Sequence, residues 1–237
     1  MTDTTPEVTP PDTPEVPDTG DLVRSTAPTV RATRKGLWGS GPGDVSGFGG
    51  ISRPVVRHTQ AGRPYGGWFD QAADRLDTLL PDLNAAANTE QGELTLYIPR
   101  TRLLEVLRLL RDDAHLRFET CPSVTGVHYP DEPGTELHVV YDLLSMTHNR
   151  RLRVEVTCPA DDPVIPSATS VYPHTDWDER ETWDMFGVRF EGHPYLTRIL
   201  MPDDWQGHPQ RKDYPLGGIP VEFKGAQTPP PDERRSY

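Results

Sequence analysis

Beyond Gly187 the sequence loses every period that builds a buried helix or strand, and that loss constrains the rest of the chain. The stretch TDWDERETWDMFGVRFEGHPYLTRILMPDDWQGHPQRKDYPL, Thr175 to Leu216, opens as a helix. Thr175 is a good N-cap, Asp178 stands where it can reach back, and Asp176 and Glu179 favour the positive end of the dipole. Gly187 supplies a C-terminal stop, so about three turns fit, with Trp183, Phe186 and Trp177 marking the apolar side. Two turns follow, Gly192-His193-Pro194 and Gly207-His208-Pro209, each forcing the residue before its proline towards extended geometry. A long structureless run does not suit a compact domain. Yet Tyr195, Leu196, Ile199, Leu200, Met201, Trp205 and Tyr214 are apolar payload that a disordered tail lacks. The reading is an extended arm that lies along a partner.

A hydrophobic fraction of 34%, with 26 prolines and 20 glycines, leaves room for a core only if these are spread unevenly. They are: the two ends hold much of the Pro and Gly, and the folded part suits one ordinary core. The net charge is −12, but residues 1–21 carry Asp3, Glu7, Asp12, Glu15, Asp18 and Asp21 with no Lys or Arg. This balance argues against a nucleic-acid partner, which demands a basic footprint, and against docking on anionic lipid. Cys121 and Cys158 are too few for an iron–sulfur cluster held by four thiolates, and read as buried free thiols. With no signal peptide and no apolar run near twenty residues, the expectation is a cytoplasmic chain that does not span a membrane.

Residues 1–62 read as a disordered acidic tail and a Gly-rich loop with Trp38 and Phe48 as anchors. The loop does not suit a phosphate, because no strand precedes it and no Gly-Lys-Ser/Thr closes it. From Tyr65 the text changes: Trp68, Ala72, Leu76, Leu79 and Leu80 make an amphipathic helix that stops near Pro81. ELTLYIP is a strand, and TRLLEVLRLLRDD a second helix capped by Thr101. LRFETCPSVTGVHY is a strand broken at Pro122. ELHVVYDLLSM and RLRVEVTC form a hairpin whose connection contains Asn149. That order gives an α+β fold over residues 63–170, helices on one face of a mainly antiparallel sheet, with residues 171–237 as short helix and extended arm.

Three residue groups suggest chemistry. His193 and His208 with Asp203 and Asp204 sketch a metal site, but neither histidine has a helical partner and both precede proline. Glu179, Glu181 and Asp184 sketch an acid–base set, with Glu181 and Asp184 on one helix face, but no nucleophile or oxyanion donor accompanies them. Arg198 and Arg211, with Lys212 and Asp213, suit bidentate anchoring into carboxylates of a neighbouring protein.

"ERETWDMFGVRFEGHP", then "RIL", then "GHPQRKDYPL" closely resembles the signature of the respiratory complex I 30-kDa subunit family, also called NuoC, the C component of NADH-quinone oxidoreductase. The likeness covers roughly residues 65–217, Thr197 departs from the basic residue expected there, and the tail and loop are similar to actinobacterial elaborations. The resemblance implies a non-catalytic structural subunit of a proton-translocating NADH:quinone oxidoreductase, peripheral on the cytoplasmic side of the cell membrane. It implies packing on the quinone-site component, called D in this family, with the B, I and G components nearby. It further implies that FMN and iron–sulfur clusters sit in partner subunits and none in this chain. The partner contacts would be Glu179, Arg180, Glu181, Trp183, Asp184, Phe186, Gly187, Glu191, Gly192, His193, Pro194, Arg198, Gly207, His208, Pro209, Arg211, Lys212 and Asp213. The alternatives are a freestanding metal-dependent enzyme built on His193 and His208, and a generic adaptor.

Overall fold

The structure, a computed structural model, describes residues 29–35, 52–57, 61–83, 85–90, 92–214, 221–223 and 226–228. In chain order these form strands β1 (Thr29–Lys35) and β2 (Ser52–Arg57), helix α1 (Trp68–Leu79), and strands β3 (Ala86–Glu90) and β4 (Glu93–Tyr97). Helix α2 (Leu103–Asp112), β5 (Thr120–His128), β6 (Leu137–Ser145) and β7 (Arg150–Cys158) follow. Then come β8 (Val164–Pro166), α3 (Thr175–Phe186), β9 (Arg189–Glu191), β10 (Val221–Phe223) and β11 (Ala226–Thr228).

Alternation of apolar and polar residues builds the central sheet, in the order β3-β4-β7-β6-β5. Only the β4–β7 pair is parallel within it. The register aligns Ala87, Leu96, Val154, Tyr141 and Val124 in one row across all five strands, and every one is buried. Leu94, Leu152 and Leu143 make the next row. A side-chain period of two puts these rows on one face, and that face alone receives the helices. Helix α1 contributes Ala72 and Leu76, and α2 contributes Leu103, Val106, Leu107 and Leu110, all in one cluster with the sheet. The expected α+β class with helices on one face is what the chain forms.

Several local expectations change. Thr101 does not cap α2; the chain enters through a short 3-10 turn at Arg100–Arg102, and the N-cap Arg102 makes no side-chain cap bond. Pro122 does not split its strand, because β5 is an edge strand and the register shifts between Thr120 and Ser123, a bulge that absorbs the missing donor. Asn149 takes φ 49° in the β6–β7 connection, as its place in a turn requires. Strands β1 and β2 pair antiparallel within the span read as tail and loop, while Trp38 and Phe48 lie outside the described residues. The three-residue strands β8 and β9 pair in parallel. Together with Val171, Tyr172, Val188 and Phe190 in the main cluster, they join residues 171–190 to the same core as residues 63–170.

Gly126 on β5 lets α3 come close. A Cβ built there would lie 2.5 Å from the Phe186 ring, so the absent side chain makes room for the end of the helix. Gly126→Val is expected to push α3 off β5, and Leu152→Ala, which empties a site in the second row, to cost about 2–5 kcal/mol. Urea titration of the full chain measures both; an unchanged midpoint for either contradicts this packing.

Candidate functional site

Helix α3 carries the densest set of residues singled out by sequence, and its inward positions are polar. Thr175, Glu179 and Thr182, spaced four and three residues apart on one face, are all buried. The Glu179 carboxylate accepts from Ser167 Oγ at 2.6 Å, Ala168 N–H at 2.6 Å and Thr175 Oγ1 at 3.3 Å. Desolvation outweighs those donors and lifts its pKa to about 7. Asp178 does not close the first turn. Its carboxylate instead accepts the Val124 N–H of β5 at 3.1 Å, and Thr182 Oγ1 donates to the Val124 carbonyl at 3.5 Å. The helix thereby satisfies backbone groups that an edge strand leaves open. Thr175 is the first helical residue rather than the cap; its single hydroxyl proton is shared between Tyr172 O at 3.0 Å and the Glu179 carboxylate.

The segment after Gly187 does not run away from the body as an extended arm; through residue 214 it folds back over α3. Gly187 itself is left-handed at φ 83°, ending the helix as expected. Asp184, with no exposed surface, pairs with Arg198 and accepts three consecutive backbone N–H groups, Ile199 at 3.1 Å, Leu200 at 2.9 Å and Met201 at 2.9 Å. Desolvation alone would raise this carboxyl, but those donors and Arg198 hold it below its ordinary value. Arg198 also donates to the carbonyls of Trp205 at 2.8 Å and Gly207 at 3.3 Å and covers the Trp183 ring. Arg180 donates to the carbonyls of Thr197 and Arg198, both at 3.2 Å.

The two Gly-His-Pro turns are staples at opposite ends of the helix. His193 Nδ1 accepts the Tyr195 N–H at 3.1 Å, so Nε2 bears the proton and donates to the Asp176 carbonyl at 3.2 Å. His208 Nδ1 donates to the Asp184 carbonyl at 3.0 Å, and its ring fills the space where Gly187 has no side chain. Gln210 N–H reaches Met185 O, and Lys212 N–H donates to His128 Nδ1 at 2.9 Å, tying the segment to β5. The metal alternative therefore loses its geometry: the two imidazoles are occupied eight helical residues apart, about 12 Å along the axis. Among the described residues no cluster of three His, Cys, Asp or Glu suits a metal ion. A cavity of about 540 Å³ is lined by α1, His115, Leu116, His148 and Arg150, and one of about 420 Å³ by residues of β4, β5, β6 and β7; neither includes a residue of α3.

Many of the expected partner contacts are thus internal supports. Glu179 and Asp184 are buried carboxylates, Trp183 and Phe186 pack on the core, and Arg198 is committed to Asp184 instead of a carboxylate on another protein. Arg211 pairs with its neighbour Asp213 at 3.0 Å. Glu181, Glu191, Gly192, Pro194, Gly207, Lys212 and Asp213 face solvent, and Pro209 is half-buried. Three outward residues lie beyond the expected contact set: Trp177, Tyr195 and Leu200, at 56%, 70% and 58% exposure. Trp177, expected on the apolar side of α3, lies outside because polar residues already fill the inner face. Arg180 stacks over its ring at 5.0 Å.

A family described as respiratory-chain NADH dehydrogenase, 30 Kd subunit, matches residues 96–220. The C component of NADH-quinone oxidoreductase from a Nocardioides species is 60% identical over 210 residues, covering 86% of this chain and 84% of the relative. That of Nocardia farcinica is 56% identical over 240 residues, covering 98% and 90%. A chain of an archaeal respiratory membrane complex, the membrane-bound sulfane sulfur reductase, shares the fold with a TM-score of 0.53 and 22% identity over 63% of this chain and 87% of its own. The chain belongs to the respiratory-chain NADH dehydrogenase 30 Kd subunit family.

The buried carboxylates make opposite demands on solution conditions. Asp184→Ala strands Arg198 and three backbone donors and is expected to destabilise the chain by about 3–5 kcal/mol, read from the urea midpoint. Glu179 acts through pH: its folded pKa of about 7 exceeds the ordinary 4.5, so its contribution is full below 4.5 and lost as pH rises through about 7. Thermal melts across that window should show the decline, and Glu179→Gln should flatten it.

Proposed function

We propose that this chain is a non-catalytic structural subunit of the peripheral arm of a proton-translocating NADH:quinone oxidoreductase. Its role is to hold the quinone-site component, D, in register, with the B, I and G components nearby, on the cytoplasmic side of the membrane. Electrons then pass from NADH through FMN and iron–sulfur clusters of partner subunits to quinone. The observation that carries this reading is a rigid display. The segment folded over α3 is fixed by buried polar anchors, yet it holds Trp177, Tyr195 and Leu200 outward, large apolar side chains of the kind that centre an interface. Family membership and relatives named for the C component of that enzyme support it. So does the state of the cysteines: burial pushes both thiols up to about 12, which disfavours the thiolate that clusters need. Among the described residues no helix is long and apolar enough to cross a membrane.

The test is affinity purification of the tagged chain in mild detergent from its own cells, with native mass analysis and NADH oxidation by a quinone analogue. Recovery in one large complex with flavin and iron–sulfur clusters is expected; a soluble metal-loaded species or a promiscuous set of partners overturns the reading. Trp177→Ala with Tyr195→Ala should lower recovery of the complex at least several-fold while leaving the chain's own melting unchanged.

A further inference from the structure

Along α3, Trp177, Arg180, Glu181 and Asp184 fall at i, i+3, i+4 and i+7 and form one stripe. Residues 195–201 lie on that stripe, because Arg180 holds the carbonyls of Thr197 and Arg198 and Asp184 holds the N–H groups of Ile199 to Met201. The His193 staple brings Tyr195 to the Trp177 end, and the Asp184 bonds bring Leu200 to the other. Tyr195 and Leu200 point out while Leu196 packs inward, so the outward apolar groups follow the helix for roughly 10 Å.

The exposed charge of the stretch that carries this strip is one-sided. Between residues 174 and 205 the exposed acids are Glu181, Glu191, Asp203 and Asp204, against a single exposed Arg or Lys, Arg189. The other two arginines of that span are half-buried: Arg180 lies across the Trp177 ring with its donors on two carbonyls, and Arg198 is turned onto Asp184 and carbonyls. The surface is an apolar centre with an acidic rim. From this we infer that its occupant is a protein surface with an apolar centre bordered by Arg and Lys side chains. This rests on the reading of the chain as part of a larger enzyme and adds the chemistry of the partner. Anionic headgroups and nucleic acid are repelled by the rim. A second copy of this chain would set acidic rim against acidic rim across a two-fold axis.

The experiment uses the tagged full chain in cells lacking the native copy, and measures its recovery in the large complex at low and high salt. Glu181→Lys with Glu191→Lys should cut recovery about tenfold at low salt, the loss easing as salt rises. Glu181→Gln with Glu191→Gln should lose less and show a flatter salt dependence, and it carries the test if the lysine pair folds poorly. Wild-type recovery and salt dependence for both pairs, with the Trp177→Ala and Tyr195→Ala chain still failing to assemble, would overturn the basic partner while leaving the proposed function intact. Wild-type recovery for all three would remove this face from assembly altogether.

Discussion

The Asp184 carboxylate is the interaction on which the rest of the α3 region depends. Five donor contacts converge on this residue, from Arg198 and three successive amides on the side chain and from His208 on its backbone carbonyl. A buried charge is expensive unless it is fully paired, and here the pairing is what gives an aperiodic segment its shape. Without a regular ladder, residues 199–201 need some acceptor for their amides, and the helix supplies it. The same carboxylate holds Arg198, whose other donors collect the Trp205 and Gly207 carbonyls, so one buried charge organises two turns of otherwise featureless chain.

Glu179 completes the division of labour along the helix. It faces the other way, into Ser167, Ala168 and Thr175, and joins α3 to the 3-10 turn at Ala168–Ser170. Asp178 and Thr182 join it to β5. Four polar side chains thus share with Trp183, Met185 and Phe186 the docking of a helix that would ordinarily be docked by leucines alone. This arrangement frees Trp177 to face outward, and it couples the presentation of that face to carboxyl chemistry inside.

How much of this is readable in the sequence depends on whether the signal is local. The helix stop at Gly187, the turn at Asn149, the amphipathic α1 and α2 and the alternation of β7 all depend on neighbours in sequence, and all appear in the structure. Strands β8 and β9 hold only three residues each, too short for a period, and they form because they meet in space. Trp177 defeats the pattern for a deeper reason: apolar-stripe logic assumes an apolar interior, and α3 buries Thr175, Glu179, Thr182 and Asp184. The internal roles of Asp184 and Arg198 are equally hidden, since their partners are backbone groups of a segment with no pattern to follow.

The parallel pairing of β8 with β9 has a topological consequence. Ile165 lies beside Phe190, so everything between them, α3 included, is an excursion closed at its base by two fully buried side chains. Such a loop does not fray from an end. Its amides should exchange with solvent as one cooperative block, making α3 and the 3-10 turn before it a foldon that opens together or not at all.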